Sequence, residues 1–422
     1  MAPAAQALVC LLALCASVQG GLLSRAAKPE VRWKSAGGNL MLNGLPFNLK
    51  GANWFGFETE INVPHGLWGG ATTMDRVLKF CRENKINALR IPVSLSLALD
   101  PDTKVQAGSC DECSTGRSWD VLDALFGKAA AKGVLILLDM HRLNNQQQGE
   151  LWWDNTHSEA DLVKGWVNLL KRFGQTPNLL GIDLKNEPHG QATWGMGKST
   201  DWDAAAVRIV TAIKSAYPAF NRLIFVEGVG TEGTYHMFNT QHPSYYKNWG
   251  GNLDGVSYKP IDFGSKDLND LLVYSPHVYG PSVADQPYFN TATFPDNMPG
   301  IWDEQFGWIE GSSGKAVVTG EWGGWYTGQD KLWQEAWVKY LRSRCLGDNF
   351  VWCINPDSSD TGGLLLNDWT TPDAAKMALL SKLQPTPSVF TSPILDGALC
   401  VDHGAAAAEQ CRPGGTTSPS SP

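Results

Sequence analysis

The chain has 422 residues, a formal net charge of −8, and 43% hydrophobic against 18% charged side chains. Those proportions suit an ordinary globular protein, and the length suits one large α/β domain with loop insertions. An acidic balance argues against a nucleic-acid backbone or an anionic membrane as the main partner and leaves a neutral substrate as the better fit.

Residues 1–20 carry no charged side chain, and 8–16 form an apolar run of signal-peptide length, followed by small residues around Ser17 and Gly20. The absence of a polar face favours a cleaved secretory signal over a buried helix, so the mature protein is expected outside the cell. Cys10 and Cys15 leave with that segment, and seven cysteines remain, an odd number. Cys110 and Cys113 have the spacing of half a zinc knuckle, but no convincing second ligand pair accompanies them. A loop disulfide is therefore expected there, and Cys400 with Cys411 is a candidate staple for the C-terminal tail.

From residue 47 onward, short β-rich runs alternate with helical patterns. Strands are expected at 47–51, 88–92, 134–140, 180–186, 223–227, 272–277, 316–321 and 350–354. Apolar residues at three- and four-residue spacing mark the intervening helices: Met74, Val77, Leu78 and Cys81; Val121, Leu122, Leu125 and Ala129; Leu162, Trp166, Leu169 and Phe173; Val207, Val210, Ile213 and Ala216. Thr73, Ser118 and Ser158 are candidate N-caps. Eight strands with interposed helices predict a single (β/α)8 barrel over 21–385, with its site at the carboxyl ends of the strands. An open doubly wound sheet fits less well, because no Gly-rich phosphate loop follows the early strands. Residues 386–422 are rich in Pro, Ser, Gly and Ala and are expected to form a disordered tail.

The expected strand ends offer Asn53 and Trp54, Arg90, His141, Asn186 and Glu187, Glu227, His277 and Tyr279, Glu321, and Trp352. Two of these runs stop abruptly in a glutamate, at Glu187 and Glu321. A carboxylate pair brought from separate strand ends to one rim is the minimal apparatus for cutting a glycosidic bond. The bland alternative is a pair of structural glutamates in ion pairs. A lone His at a strand end is often only a core residue, whereas His277 and Tyr279, two positions apart, point to one side of a strand. Eighteen tryptophans add a second signal, since indole faces stack on sugar rings. Trp166 lies on a helix stripe and reads as core; Trp152, Trp153, Trp194, Trp302 and Trp308 lie in loop-like stretches where packing and sugar contact are equally open.

Taken together, Lys50-Gly51-Ala52-Asn53-Trp54-Phe55-Gly56, Ala88-Leu89-Arg90-Ile91-Pro92, Leu138-Asp139-Met140-His141, Asn186-Glu187-Pro188-His189, Phe225-Val226-Glu227-Gly228, Ser275-Pro276-His277-Val278-Tyr279, Gly320-Glu321-Trp322 and Asn355-Pro356-Asp357-Ser358 through Gly362-Gly363 form an ordered set. From about residue 40 to 380 the chain thereby resembles glycoside hydrolase family 5, and within it the endoglucanase (cellulase A) branch. The resemblance implies a retaining mechanism with Glu187 as acid/base and Glu321 as nucleophile. It further implies Asn186 bonding the substrate 2-hydroxyl, Arg90 keeping the nucleophile ionised, and His141, His277 and Tyr279 lining the cleavage subsite, with Tyr279 hydrogen-bonded to Glu321. Trp54, Trp249 and Trp352 match its sugar platforms, and Glu227 is placed behind the catalytic pair.

Ile354 departs from the pattern, standing where relatives carry a further aromatic, which bears on the shape of one subsite. The polar run 144–148 and the segment 231–246 read as loops that reshape the cleft or its lid. The expectation is a secreted monomer without metal or cofactor that cleaves internal β-1,4 bonds of cellulose or a related β-glucan. A β-mannanase or β-1,3-glucanase on the same blocks is the neighbouring alternative, and a glycan-binding barrel without catalysis is the alternative of another class.

Overall fold

The computed structural model describes residues 31–231, 248–394 and 399–403. The expected signal peptide over residues 1–20, Cys411 and most of the segment 231–246 lie outside them. The parallel strands Lys50–Asn53, Ala88–Ser94, Leu135–Arg142, Leu179–Asp183, Leu223–Val226, Leu272–Tyr274 and Asn349–Val351 form a continuous sheet in which sequence neighbours pair and the last lies beside the first. The expected seventh strand makes only bridges, Tyr274 to Val317, His277 to Glu321 and Thr319 to Asn349. Its backbone still reaches both sides, with Val318 N donating to Tyr274 O at 2.9 Å and Phe350 N to Thr319 O at 2.8 Å. The eight staves therefore close a (β/α)8 barrel.

Alternation along the staves separates inside from outside. On the third stave Leu135 and Leu137 enter an inner apolar cluster, whereas Ile136, Leu138 and Met140 join the layer shared with the helices. Leu180, Leu223, Phe225, Val273, Val318 and Phe350 share that inner cluster. Towards the carboxyl ends the inward positions turn polar, at Asn53, Arg90, Asp139, His141 and Ser275.

Helices Met74–Glu83, Ser118–Lys132, Glu159–Phe173, Trp202–Ala216, Gly328–Ser343 and Ala374–Leu383 form much of the outer ring. Thr73 accepts from Arg76 N, and Ser158 forms a capping box with Asp161. Ser118 is the first helical residue rather than the cap, which falls to Arg117 without a side-chain bond.

The amino end of the barrel is closed by the meander Trp33–Ala36, Asn39–Leu42 and Leu45–Pro46 and by a segment expected to be disordered. Residues 386–394 and 399–403 are part of this floor: Val389–Phe390 pairs with Val401–Asp402, and Phe390, Ile394 and Val401 are buried in the cluster with Trp33, Leu42 and Phe47. Three buried apolar side chains within a Pro- and Ser-rich stretch are enough to dock it, so these residues are not the disordered tail that composition predicts. Cys110 and Cys113 form a disulfide, while Cys81 and Cys353 are buried thiols. No helix among the described residues is long and apolar enough to cross a membrane.

Candidate active site

At the carboxyl ends of the staves lies a cleft of about 550 Å³, lined among others by Phe55, His141, Gln148, Glu187, Trp249, Tyr279, Glu321 and Trp352. Glu187 and Glu321 face each other on its floor. One oxygen of each, with a nitrogen of His277, falls in a group whose atoms all lie within 4.8 Å of one another.

The fourth strand ends at Asp183, three residues earlier than the sequence pattern suggested, and the chain leaves the sheet to present Glu187. Glu187 has φ 49°, a left-handed conformation that a non-glycine residue holds at a cost of roughly 1–3 kcal/mol. Its backbone N–H is fixed by Glu227 Oε2 at 2.7 Å; its own Oε2 accepts from Gln148 Nε2 at 2.6 Å, and Oε1 lies 3.1 Å from His277 Nδ1. Glu321 accepts from Arg90 Nη1 at 2.6 Å and from the Tyr279 hydroxyl at 2.7 Å.

Burial raises both glutamates above the ordinary carboxylate range, and the charge of Glu187 adds to the rise at Glu321. Both cannot ionise cheaply at this separation, so they titrate as a pair. A guanidinium and a phenol both donate to Glu321, whereas Glu187 receives an amide and a weakly basic imidazole. Those donors favour the charge on Glu321 and the proton on Glu187, against the burial that pushes Glu321 up to about 7. Burial drives His277 down to about 3, so its ring is neutral at ordinary pH.

Arg90 is wholly buried and organises the floor. Besides Glu321 it reaches Asp183 at 3.0 Å, Asp139 at 3.1 Å and Glu227 at 3.3 Å. One cation cannot balance four anions, and burial, opposed by Arg90, pushes Asp139 up to about 7 and Asp183 up to about 6. Arg90 also donates to Asn53 Oδ1 at 3.1 Å and Asn186 Oδ1 at 2.8 Å. His141 Nδ1 meets Asp139 Oδ2 at 2.6 Å, and its Nε2 lies 3.5 Å from Asn186 Nδ2. Asn186 is thus held between Arg90 and His141 beneath the cleft rather than among its lining residues. Asp183, Glu227 and His277 also offer clustered ligand atoms, with the Arg90 guanidinium 3.0 Å from Asp183 and 3.3 Å from Glu227.

The expected platforms divide. Trp249 is 41% exposed and stacks on His189 with centroids 3.7 Å apart, and Trp352, partly exposed on the cleft, runs nearly parallel to Phe55 and His141 at 5.4 and 5.6 Å. Trp54 is a correction: it is fully buried in the layer beneath the helices, and its indole N–H bonds His65 O at 3.1 Å. Asn53 points into the barrel, so the next residue must point out. Trp166, Trp152, Trp194 and Trp302 are fully buried too, and of the loop tryptophans named Trp153 is the most exposed, at 38%. Ile354 is buried.

No sequence pattern assigns a site role to Asp139, Asp183 or Gln148 individually. A charge closing an apolar strand, as at Asp183, and an acid two positions before His141 were the available signals; Gln148 sat in a polar loop without one.

The family description Cellulase (glycosyl hydrolase family 5) matches residues 42–358. An endoglucanase of Paenibacillus polymyxa is 39% identical over 357 residues, covering 82% of this chain and 85% of that protein. The major extracellular endoglucanase of Xanthomonas campestris pv. campestris is 38% identical over 355 residues, covering 82% and 69%. Among solved structures, an endocellulase from Pyrococcus horikoshii in complex with cellotetraose superposes with a TM-score of 0.77 at 35% identity, covering 85% of this chain and all of that one. With a closed barrel, a facing glutamate pair and relatives of this coverage, the chain belongs to the cellulases of glycosyl hydrolase family 5.

Proposed function

We propose that the protein is a secreted endo-β-1,4-glucanase that cleaves internal bonds of cellulose or a related β-glucan with net retention. The observation that carries the reading is the approach of the Glu187 and Glu321 oxygens within 4.8 Å across an open cleft. Retaining enzymes hold their carboxyl groups about 5–5.5 Å apart, too close for a water to attack from the opposite face. The relatives named endoglucanase favour glucan over mannan, and residues 1–20 carry the case for export.

In the first step Glu321 attacks the anomeric carbon, forming a C–O bond as the glycosidic C–O bond breaks, and Glu187 gives its proton to the departing oxygen. Arg90 and Tyr279 hold Glu321 charged and oriented before attack. In the second step Glu187, now a carboxylate, takes a proton from water, whose oxygen displaces Glu321 from the anomeric carbon. The enzyme returns to its starting protonation. Trp249 and Trp352 offer apolar faces on which neighbouring sugar rings stack.

The test is release of reducing ends from soluble carboxymethyl-cellulose, with mannan and laminarin as competing substrates. Glu187→Gln and Glu321→Gln are each expected to lower kcat by about 10³-fold or more. Activity surviving in Glu321→Gln would remove the nucleophile from the scheme, and faster turnover of mannan or laminarin would overturn the substrate assignment.

A further inference from the structure

Trp325 lies just past the seventh stave, four residues beyond Glu321, and is 48% exposed. A single exposed apolar side chain is ordinary on a protein surface, but this one is held in place by its local structure. That structure is closely determined. A Cβ on Gly323 would stand 2.2 Å from Trp352 O, and one on Gly324 2.4 Å from the Asp330 carboxylate, so this backbone is pressed against the loop bearing Trp352. Asp330, 4% exposed, accepts from Tyr326 N at 2.8 Å and Gln334 Nε2 at 2.7 Å. Those bonds hold Tyr326 at φ 59°, a left-handed conformation without glycine.

Against the benzo ring lies Gly362, where a Cβ would come within 2.8 Å of the indole. Lys376 Nζ stands 5.8 Å from the ring centroid and is tied to Thr361 O at 2.7 Å. The ring is thus held by the Gly362 loop and the Lys376 stem, with about half of its surface left to solvent.

Its position is also defined. Trp352, Ser358, Ser359 and Asp360 line the cleft, and Trp325 sits on the Gly362 end of that same loop, just outside the cavity. Four residues of chain span at most about 14 Å, so the indole stands within a few sugar rings of Glu321.

We propose that Trp325 is an outlying sugar platform, taking one glucosyl ring of the polysaccharide beyond the cleft on the Trp352 side. This rests on the glucanase reading above. Stacking on a preorganised aromatic adds binding without touching the reacting bond, so it is felt only by substrates long enough to reach it.

Steady-state kinetics of the full chain on cello-oligosaccharides from cellotetraose to cellohexaose tests it with Trp325→Ala and Trp325→Phe. The expected result is a kcat/KM for cellohexaose lowered about fivefold in Trp325→Ala, through KM, with cellotetraose and the pH profile unchanged and Trp325→Phe near the wild type. Equal kcat/KM at every length, or a loss shared by the shortest substrate, would overturn it, the second outcome marking a structural prop for the Gly362 loop. A wild type inert on every β-1,4-glucan would sink the functional reading and this platform with it, whereas an active wild type with an indifferent Trp325→Ala would sink the platform alone.

Discussion

The two ends of the barrel are built from opposite chemistry. At the amino end, Trp33, Leu42, Phe47, Phe390, Ile394 and Val401 form an apolar floor, and its polar groups find neutral partners, as when Asn87 Nδ2 bonds the Asn48 and Ser388 carbonyls at 2.8 Å. At the carboxyl end, Arg90 stands among four carboxylates, Lys185 is fully buried, and Glu187 is held left-handed. Burying charge and strain is unfavourable unless the surroundings over-determine it. Apolar burial at the floor stabilises the fold with no part in the chemistry, and the rim holds a geometry that stability alone would not select.

Replacing Arg90 by Met is the severest way to break this division. It leaves Glu321, Asp139, Asp183 and Glu227 without their cation, so a loss of about 3–5 kcal/mol is expected in denaturant unfolding. Activity on carboxymethyl-cellulose should fall with it, because Glu321 then retains its proton. At the other end, Phe390→Ala should also cost about 3–5 kcal/mol, yet leave kcat/KM unchanged at temperatures where the protein stays folded. A changed kcat/KM in Phe390→Ala would show that floor and rim are coupled, and a stable Arg90→Met would show that the rim carries no such strain.

That same contrast explains what could be read from the sequence. The staves were legible because buried parallel strands are apolar runs of characteristic length, and alternate inward positions brought Arg90, His141, His277 and Glu321 to one end. Trp54 was misread because a position beside a strand end says nothing of direction until the register is known: Asn53 faces in, so Trp54 faces the helices. The floor residues 386–394 and 399–403 are not legible in composition because Phe390, Ile394 and Val401 have no periodicity and dock against residues more than 250 positions away, such as Phe47 and Ala130. The charge network escaped for a related reason. Asp139 and Asp183 are held by a guanidinium from a different stave, a pairing visible only once the barrel is closed.

A smaller test separates the ends by pH. Asp348, half-buried beside a cavity of about 190 Å³ at the amino end, accepts from Leu49 N at 2.7 Å and Gln384 Nε2 at 3.2 Å. Burial outweighs those donors and pushes it up to about 7. A carboxyl whose folded value exceeds its unfolded one contributes stability that is complete below about pH 4 and lost as pH rises through 7. Between pH 6 and 8 the wild type should therefore lose about 1 kcal/mol that Asp348→Asn does not. Parallel Tm curves for the two proteins would refute the assignment, and the variant's rate profile should match the wild type's because Asp348 lies far from the cleft.

The finest probe lies at the rim. Gln148 donates to Glu187 Oε2 at 2.6 Å, stabilising the charged form against the upward push of burial. Removing the amide in Gln148→Leu leaves burial less opposed, so Glu187 should keep its proton to higher pH. The alkaline limb of kcat/KM on a soluble glucan is then expected to move up by less than about one pH unit, with the fold unchanged. Amide orientation gives the experiment a second edge. If the oxygen rather than the nitrogen of Gln148 faced Glu187, it would accept the proton of the acid form, and its loss would move the limb down. The direction of the shift thus reports which end of the Gln148 amide the Glu187 carboxyl meets.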